Sequence, residues 1–310
     1  MVKRATKAES PWHLSGGQGS LELRPAEAVG TAATRRGRVV VRETLCRTIL
    51  NRSSISDYSL NCYTGCAHGC VYCYARFMQR FHPHPEPWGA FVDVKVNAAE
   101  TLRQQVRRAK PGDVFMSSAC DGWQPIEAER RLTRRCCELL LERGFQVNIL
   151  TKSDLVRRDF DVFAGRSVRV GVTVTTLDER LRRLWEPGAS SVAARFRVLE
   201  EARSAGLRTG VMFAPLLPFL SDTRGSLEAM FERAADLAID DIWVDALNPR
   251  PKVWPSAAGL LRREFPDLCE RYRRILFDEA AREAHLSGLR DRVAAAAARF
   301  SLQDRLTVCF

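Results

Sequence analysis

Between residues 114 and 246 short apolar runs recur, each followed by an amphipathic stretch that ends near a glycine or proline. The runs at 114–118, 146–151, 168–174, 208–214 and 242–246 are too short for helices and often β-branched, so they predict strands. The stretches at 127–143, 154–163, 190–205 and 225–238 predict helices. Gly144 and Gly206 stand where a helix C-terminus favours a left-handed residue. Upstream, 58–63 predicts a first strand, 71–81 a helix and 91–96 an extra extended segment carrying Lys95. Asn97 and Glu100 resemble a capping box that opens a helix over 97–109. Downstream, 257–283 predicts a mostly helical stretch kinked at Pro266. Strands alternating with helices imply parallel βαβ units with right-handed crossovers. The pattern has two solutions, a partial (βα)6 barrel and an open doubly wound sheet. In both, function sits at the C-terminal ends of the strands.

Polar, glycine- and proline-rich residues do follow those strands. After 114–118 comes Ser118-Ala119-Cys120-Asp121-Gly122-Trp123-Gln124-Pro125, and after 146–151 comes Lys152-Ser153-Asp154. Thr173 and Thr175 lie in and just beyond the run at 168–174. Pro215, Pro218, Ser221 and Asp222 follow 208–214, and Asn248-Pro249-Arg250-Pro251 follows 242–246. Residues 1–38 are polar, include Gly16-Gly17-Gln18-Gly19-Ser20 and Arg35-Arg36-Gly37-Arg38, and predict a flexible basic leader. The α/β unit is expected over 39–285 and a C-terminal helical tail over 286–310.

Composition narrows the class. The chain has 310 residues, 45% hydrophobic and 27% charged, as in an ordinary globular protein. No run of eighteen apolar residues exists, which predicts no membrane partner. Adjacent Cys136 and Cys137 on an expected helix, and a crowded cysteine motif, point to a reducing cytoplasm rather than a disulfide scaffold. The net charge of +11 would suit a polyanion. However, pairs such as Arg107-Arg108 and Arg182-Arg183 lie on separate expected helices, not in one stripe with interleaved aromatics.

Candidate chemistry concentrates in one loop. Cys66, Cys70 and Cys73 form C-x3-C-x2-C, with Cys62 four residues upstream. Thiolates are soft ligands for zinc, copper or iron–sulfur clusters. Structural zinc usually sets two C-x2-C pairs far apart or adds histidine; neither spacing occurs here. A compact run with Gly65 and Gly69 suits a cuboidal cluster better. Three cysteines on four irons leave one iron open for chemistry. A closed four-cysteine electron-transfer cluster using Cys62, and a zinc-stabilised nucleic-acid-binding module, remain the alternatives. His82 and His84 sit in a proline-rich break without a third ligand nearby, which predicts a loop covering the cysteine side.

The stretch Tyr63-Thr64-Gly65-Cys66-Ala67-His68-Gly69-Cys70-Val71-Tyr72-Cys73-Tyr74-Ala75-Arg76 resembles the radical S-adenosylmethionine (SAM) superfamily, in particular its spore photoproduct lyase-like branch. Asp121 to Glu127 (Asp-Gly-Trp-Gln-Pro-Ile-Glu) and Thr151-Lys152-Ser153 are similar to phrases of that branch. The resemblance implies a partial (βα)6 TIM-type barrel and a [4Fe–4S] cluster held by Cys66, Cys70 and Cys73. SAM would be cleaved to a 5′-deoxyadenosyl radical that abstracts hydrogen from substrate. Tyr72 resembles the aromatic that meets the adenine, and Lys152 the cation that pairs with the SAM carboxylate. Ser118, Asp121, Thr173 and Thr175 are placed to contact SAM. Cys120 resembles a thiol that returns hydrogen to a product radical. The resemblance also implies a flavodoxin- or ferredoxin-type electron donor and a nucleic-acid or nucleoside substrate. The chain departs from the branch at Cys62, where proline is common, and at Cys120, where threonine is frequent. Cys62 is expected to be a spare thiol near the cluster.

Overall fold

The computed structural model describes residues 27–28, 34–36, 39–250 and 252–310. Most of the expected leader therefore lies outside the described residues. The strands are β1 (Glu27–Ala28), β2 (Thr34–Arg36), β3 (Val39–Leu45), β4 (Leu50–Arg52), β5 (Tyr58–Leu60), β6 (Tyr63–Thr64), β7 (Phe91–Lys95), β8 (Asp113–Met116), β9 (Gln146–Thr151), β10 (Val168–Thr173), β11 (Arg208–Leu216), β12 (Asp241–Ala246) and β13 (Leu306–Val308). The helices are α1 (Ala98–Gln105), α2 (Glu127–Arg130), α3 (Leu132–Glu142), α4 (Phe160–Phe163), α5 (Glu179–Trp185), α6 (Val192–Ser204), α7 (Arg224–Asp236), α8 (Val253–Glu264), α9 (Pro266–Phe277) and α10 (Glu279–Arg299).

The main sheet runs β13-β12-β11-β10-β9-β8-β5-β4. Every neighbouring pair from β5 to β13 is parallel, and β4 returns antiparallel on β5. The sheet curls. Phe115 on β8, Leu150 on β9, Thr173 on β10, Met212 on β11 and Asp245 on β12 line one cavity that Cys309 and Phe310, after β13, also reach. A flat doubly wound sheet could not gather residues from its whole width around one space. Among the described residues β4 and β13 are the two ends of the sheet, which makes this an open, partial barrel.

The second sheet, β1-β3-β7-β6 with β2 beside β3, explains where the cysteine loop hangs. The run expected as one strand at 58–63 is split. Tyr58, Ser59 and Leu60 pair with β8, whereas Tyr63 and Thr64 pair antiparallel with Val94 and Asp93 on β7. The chain crosses between sheets at Asn61 and Cys62, and the cysteines begin two residues after β6.

Other elements differ from the pattern for local reasons. The segment expected to be helical at 71–81 is a 3₁₀ helix over Tyr74–Arg80, because the turn through Cys70 and Cys73 leaves no room for an α start. The helix expected over 127–143 breaks at Arg131, at φ 51°. There the Glu127 carboxylate accepts from the Thr133 and Arg134 backbone N–H groups, both at 3.1 Å, and caps α3. The stretch expected as 257–283 is three helices. Pro266 opens α9 rather than kinking it, and Asp278 caps α10, accepting from Ala281 N at 2.7 Å. The boundary expected at 285 falls inside α10, and residues 306–308 add a strand where a helical tail was expected.

Candidate active site

A cavity of about 450 Å³ opens at the C-terminal ends of the strands. The cysteine loop forms one wall. Gly65 has φ +81°, and a Cβ there would lie 2.5 Å from Phe91 O, so only glycine lets the loop lie on β7. Gln124 pins the loop's middle: its Oε1 accepts from Ala67 N at 2.8 Å and its Nε2 donates to Gly65 O at 3.2 Å. Gly188 N donates to His68 O at 2.9 Å, and a Cβ at Gly188 would strike Ala67 O at 2.4 Å.

Cys66, Cys70 and Cys73 all line the cavity. Burial pushes each thiol upward, Cys70 to about 12, with nearby Asp121 adding to the rise at Cys66 and Lys152 pulling Cys70 and Cys73 back down. Three thiols sharing one dehydrated wall are poor nucleophiles, and a cationic metal would replace their protons. Among the described residues no three His, Cys, Asp or Glu side chains are grouped closely enough for a single metal ion. A cuboidal cluster does not require that, because each thiolate meets a different iron. The loop fits a [4Fe–4S] cluster.

Cys62 faces the other way. It is fully buried in the main core, with its sulfur 3.7 Å from Cys136 Sγ. It does not line the cavity, in keeping with the expected spare thiol rather than a fourth ligand, and its place is in the core. The register explains this, since the chain is crossing from β5 to β6 and turns that side chain inward. A closed four-cysteine site loses its fourth ligand.

Asp121 is a hub. Its Oδ1 accepts from Trp123 N at 2.9 Å and Thr151 Oγ1 at 2.7 Å; its Oδ2 accepts from Lys152 N at 2.7 Å and lies 3.4 Å from His68 Nδ1. Although burial opposes ionisation, His68 and these donors hold the carboxyl well below its ordinary range. The carboxylate thus ties the ends of β8 and β9 to the cysteine loop.

Tyr72 has a similar anchor. Its hydroxyl donates to Glu186 and lies 2.9 Å from Thr175 Oγ1. Glu186 is paired with Arg195, and both side chains are 0% exposed, so this ion pair is wholly inside the protein. Thr175 also donates to Glu186 at 2.8 Å or to Ala214 O at 2.9 Å. The Lys152 ammonium lies 5.7 Å from the Tyr72 ring centre, at the cavity wall.

Tyr72, Ser118, Cys120, Asp121, Lys152 and Thr173 line the same cavity as the cysteines, whereas Thr175 sits behind it in the Tyr72 anchor. Asn61 binds Ser118 and Ala119 and accepts from Cys120 Sγ at 3.8 Å. Burial pushes the Cys120 thiol to about 12, so it keeps its S–H at neutral pH. The pattern missed His68, Gln124, Glu186 and Arg195. The first two stood inside the motifs already quoted, and Glu186 in Trp185-Glu186-Pro187-Gly188; nothing local marks Arg195. The opposite wall carries Asp245, Asn248, Arg250 and Arg282. Burial raises the Asp245 carboxyl to about 7 against the pull of Arg282 and Arg250.

A family model described as the radical SAM superfamily matches residues 60–232. An uncharacterised protein of Methanocaldococcus jannaschii is 35% identical over 168 residues, covering 54% of this chain and 63% of that protein, so less than two thirds of the relative is spanned. An uncharacterised protein of Mycobacterium tuberculosis is 31% identical over 251 residues, 76% of this chain and 74% of the relative. Among solved structures, a spore photoproduct lyase mutant with bound AdoMet and dinucleoside spore photoproduct superposes with a TM-score of 0.65, at 16% identity, over 87% of this chain and 82% of that one. A second mutant of that lyase gives 0.64, also at 16% identity with 87% and 82% covered. At that identity the likeness concerns the fold, the partial barrel already described. No helix among the described residues is long and apolar enough to cross a membrane. With the three cavity cysteines inside the matched span, the chain belongs to the radical SAM superfamily and is an enzyme of that class, with a [4Fe–4S] cluster and SAM as its cofactors.

Proposed function

We propose that the enzyme abstracts hydrogen from DNA or a nucleoside, in the manner of the spore photoproduct lyase-like branch, in a reducing cytoplasm and with electrons from a flavodoxin- or ferredoxin-type donor. When bound, the cluster supplies the electron that splits SAM into methionine and a 5′-deoxyadenosyl radical, the agent that takes a hydrogen atom from substrate. Cys66, Cys70 and Cys73 would hold the cluster, and a set of three thiolates would leave it a position for SAM. Lys152, a point cation on the cavity wall, is suited to the SAM carboxylate, and the anchored Tyr72 ring to its adenine. Ser118, Asp121 and Thr173 shape the wall between them, and Thr175 steadies Tyr72. Cys120, with its proton retained and its sulfur held by Asn61, is suited to hand a hydrogen atom to a product radical. The nucleic-acid preference rests on the fold shared with a lyase whose structure holds a dinucleoside. The electron donor follows from the chemistry, which consumes an electron.

The observation that carries the reading is the gathering of two buried thiols, the half-buried thiol of Cys73, Lys152 and Tyr72 around one cavity at the strand ends. The test is anaerobic reconstitution with iron and sulfide, reduction, addition of SAM and chromatography for 5′-deoxyadenosine. Cys66→Ala is expected to abolish the product and Cys62→Ala to keep it. A colourless protein would return zinc to the field, and loss of the cluster in Cys62→Ala would return the four-cysteine carrier.

A further inference from the structure

We propose that Arg76 is the fixed counter-charge of the cluster, a guanidinium placed to favour its reduced form. This rests on the reading of Cys70 and Cys73 as cluster ligands. Arg76 ends the cysteine stretch and lies in the 3₁₀ helix over Tyr74–Arg80. Its NH2 group donates to Cys70 O at 3.0 Å, the same carbonyl that accepts from Cys73 N at 3.2 Å. A cysteine sulfur lies within about 5 Å of its own carbonyl oxygen, so the cation stands within roughly 8 Å of the Cys70 sulfur.

Nothing in the protein neutralises that cation. The side chain is half-buried, and its Nε is sealed from solvent without an acceptor. Among the described residues no carboxylate pairs with it. The acids that follow it in the chain are engaged elsewhere, Glu86 with Arg42 at 2.8 Å and Asp93 with His84 at 2.8 Å. The segment at 82–89 folds back over this region. Gln79 Nε2 donates to Glu86 O at 3.3 Å, and Trp88 shares an apolar cluster with Ala75 and Cys66. Gly89 comes so close to Gly69 that a Cβ on Gly89 would lie 2.8 Å from Gly69 Cα. Other arginines that the fold draws inward meet acids: Arg195 meets Glu186, Arg182 meets Glu179, and Arg158 meets Glu127 and Asp159. A guanidinium taken from water without an anion loses hydration and gains no Coulomb partner. Arg76 departs from that rule in the loop that would receive an anion on loading. Three thiolates leave a four-iron cluster net negative, more so once reduced. A fixed cation beside it therefore stabilises the reduced form and raises the potential.

The experiment is a redox titration of the anaerobically reconstituted full-length protein, read from the EPR signal of the reduced cluster. Arg76→Gln and Arg76→Met remove the charge. At fixed poise their reduced-to-oxidised ratio is expected to fall about tenfold, a shift of about 59 mV for one electron. Arg76→Lys keeps the charge without the planar fork and is expected to recover most of that loss. Arg80→Gln removes an exposed cation from the end of the same helix and is expected to leave the midpoint near the parent's, because solvent and salt screen that charge. An unchanged midpoint in fully loaded Arg76→Gln overturns the inference, and so does an equal shift in Arg80→Gln. If neither neutral variant loads iron, Arg76→Lys decides. Loading with less than half of the expected shift supports the counter-charge. Failure to load, or a larger shift, assigns Arg76 to its bond with Cys70 O alone and overturns the inference. A protein that takes up no four-iron cluster at all overturns the cluster reading first and this one with it, a failure that iron and sulfide analysis identifies separately.

Discussion

The two walls of the cavity are built by different means. The near wall, from the cysteine loop to the ends of β8, β9 and β10, is a mesh of directed bonds. Asp121 has four partners, Gln124 clasps the loop, and Tyr72 stands on a buried ion pair. The far wall, at the ends of β11 and β12 and on α10, sets Asp245 near Arg282 and Arg250 and shows fewer directed bonds among those described. The Arg282 bond to Leu247 O is long, at 3.4 Å, and Asp245 accepts only from its neighbour Ala246 N, at 2.9 Å, among the bonds described. Cofactors shared by a whole superfamily call for a fixed geometry. A substrate wall that differs between members has to be replaceable without loss of the fold.

The largest expected effect tests whether the near wall is also a stability element. Arg195→Met leaves Glu186 as an unpaired buried charge, a change that typically costs about 3–5 kcal/mol. Arg282→Met on the far wall should cost under about 1 kcal/mol, because a half-buried cation with one long bond loses little. Urea unfolding of both variants measures the contrast. Equal losses would erase the distinction between the walls.

A smaller effect separates close approach from backbone strain. Gly89→Ala suffers both, because φ is +96° and Gly69 blocks the new Cβ. Gly206→Ala, at φ +72° with nothing within 4 Å, suffers strain alone, about 1 kcal/mol. Gly89→Ala is expected to lose about 1–2 kcal/mol more and to bind less iron on reconstitution, whereas Gly206→Ala loads fully. Thermal melts and iron assays of the two variants provide the test. Full loading of Gly89→Ala would mean that the loops need not touch.

Legibility in the sequence followed the same division. The strands at 146–151 and 168–174 could be read because each is a short apolar run with punctuation on both sides. The three cysteines that line the cavity could be singled out because their spacing has few other uses. Asp121, Lys152 and Tyr72 were singled out and do line the cavity, but the partners that fix Asp121 and Tyr72 lie 31 and 114 residues away, beyond the reach of any local pattern. Strand β13 was missed because three residues after a long helix give no periodicity, and α5 because its seven residues follow a polar stretch. That Cys62 turns into the core could not be read, because the sequence does not show that the chain changes sheets at that point. On the far wall nothing announced Asp245, whose carboxyl is unusual only because of what encloses it.

Asp245 gives the subtlest prediction, and its sign follows from proton counting. The carboxyl is raised from its ordinary 3.8 to about 7 because burial outweighs Arg282, Arg250 and the Ala246 N–H. Between those two values the folded protein binds more protons than the unfolded chain, so stability falls as pH rises through that window and levels off above about 7. Carboxylates held low, such as Asp121 and Glu186, act in the opposite direction but only below their unfolded values near pH 4. His82 and His285, held below their ordinary 6.5 by burial, also titrate in this range, but they are common to parent and variant and cancel in the difference. Asp245→Asn should therefore gain about 1–2 kcal/mol on the parent at pH 8 and much less at pH 5, measured by urea unfolding at both. A constant difference at the two pH values would mean that Asp245 stays charged throughout. In that case the pull of the two arginines outweighs burial, and the far wall presents a fixed carboxylate beside them.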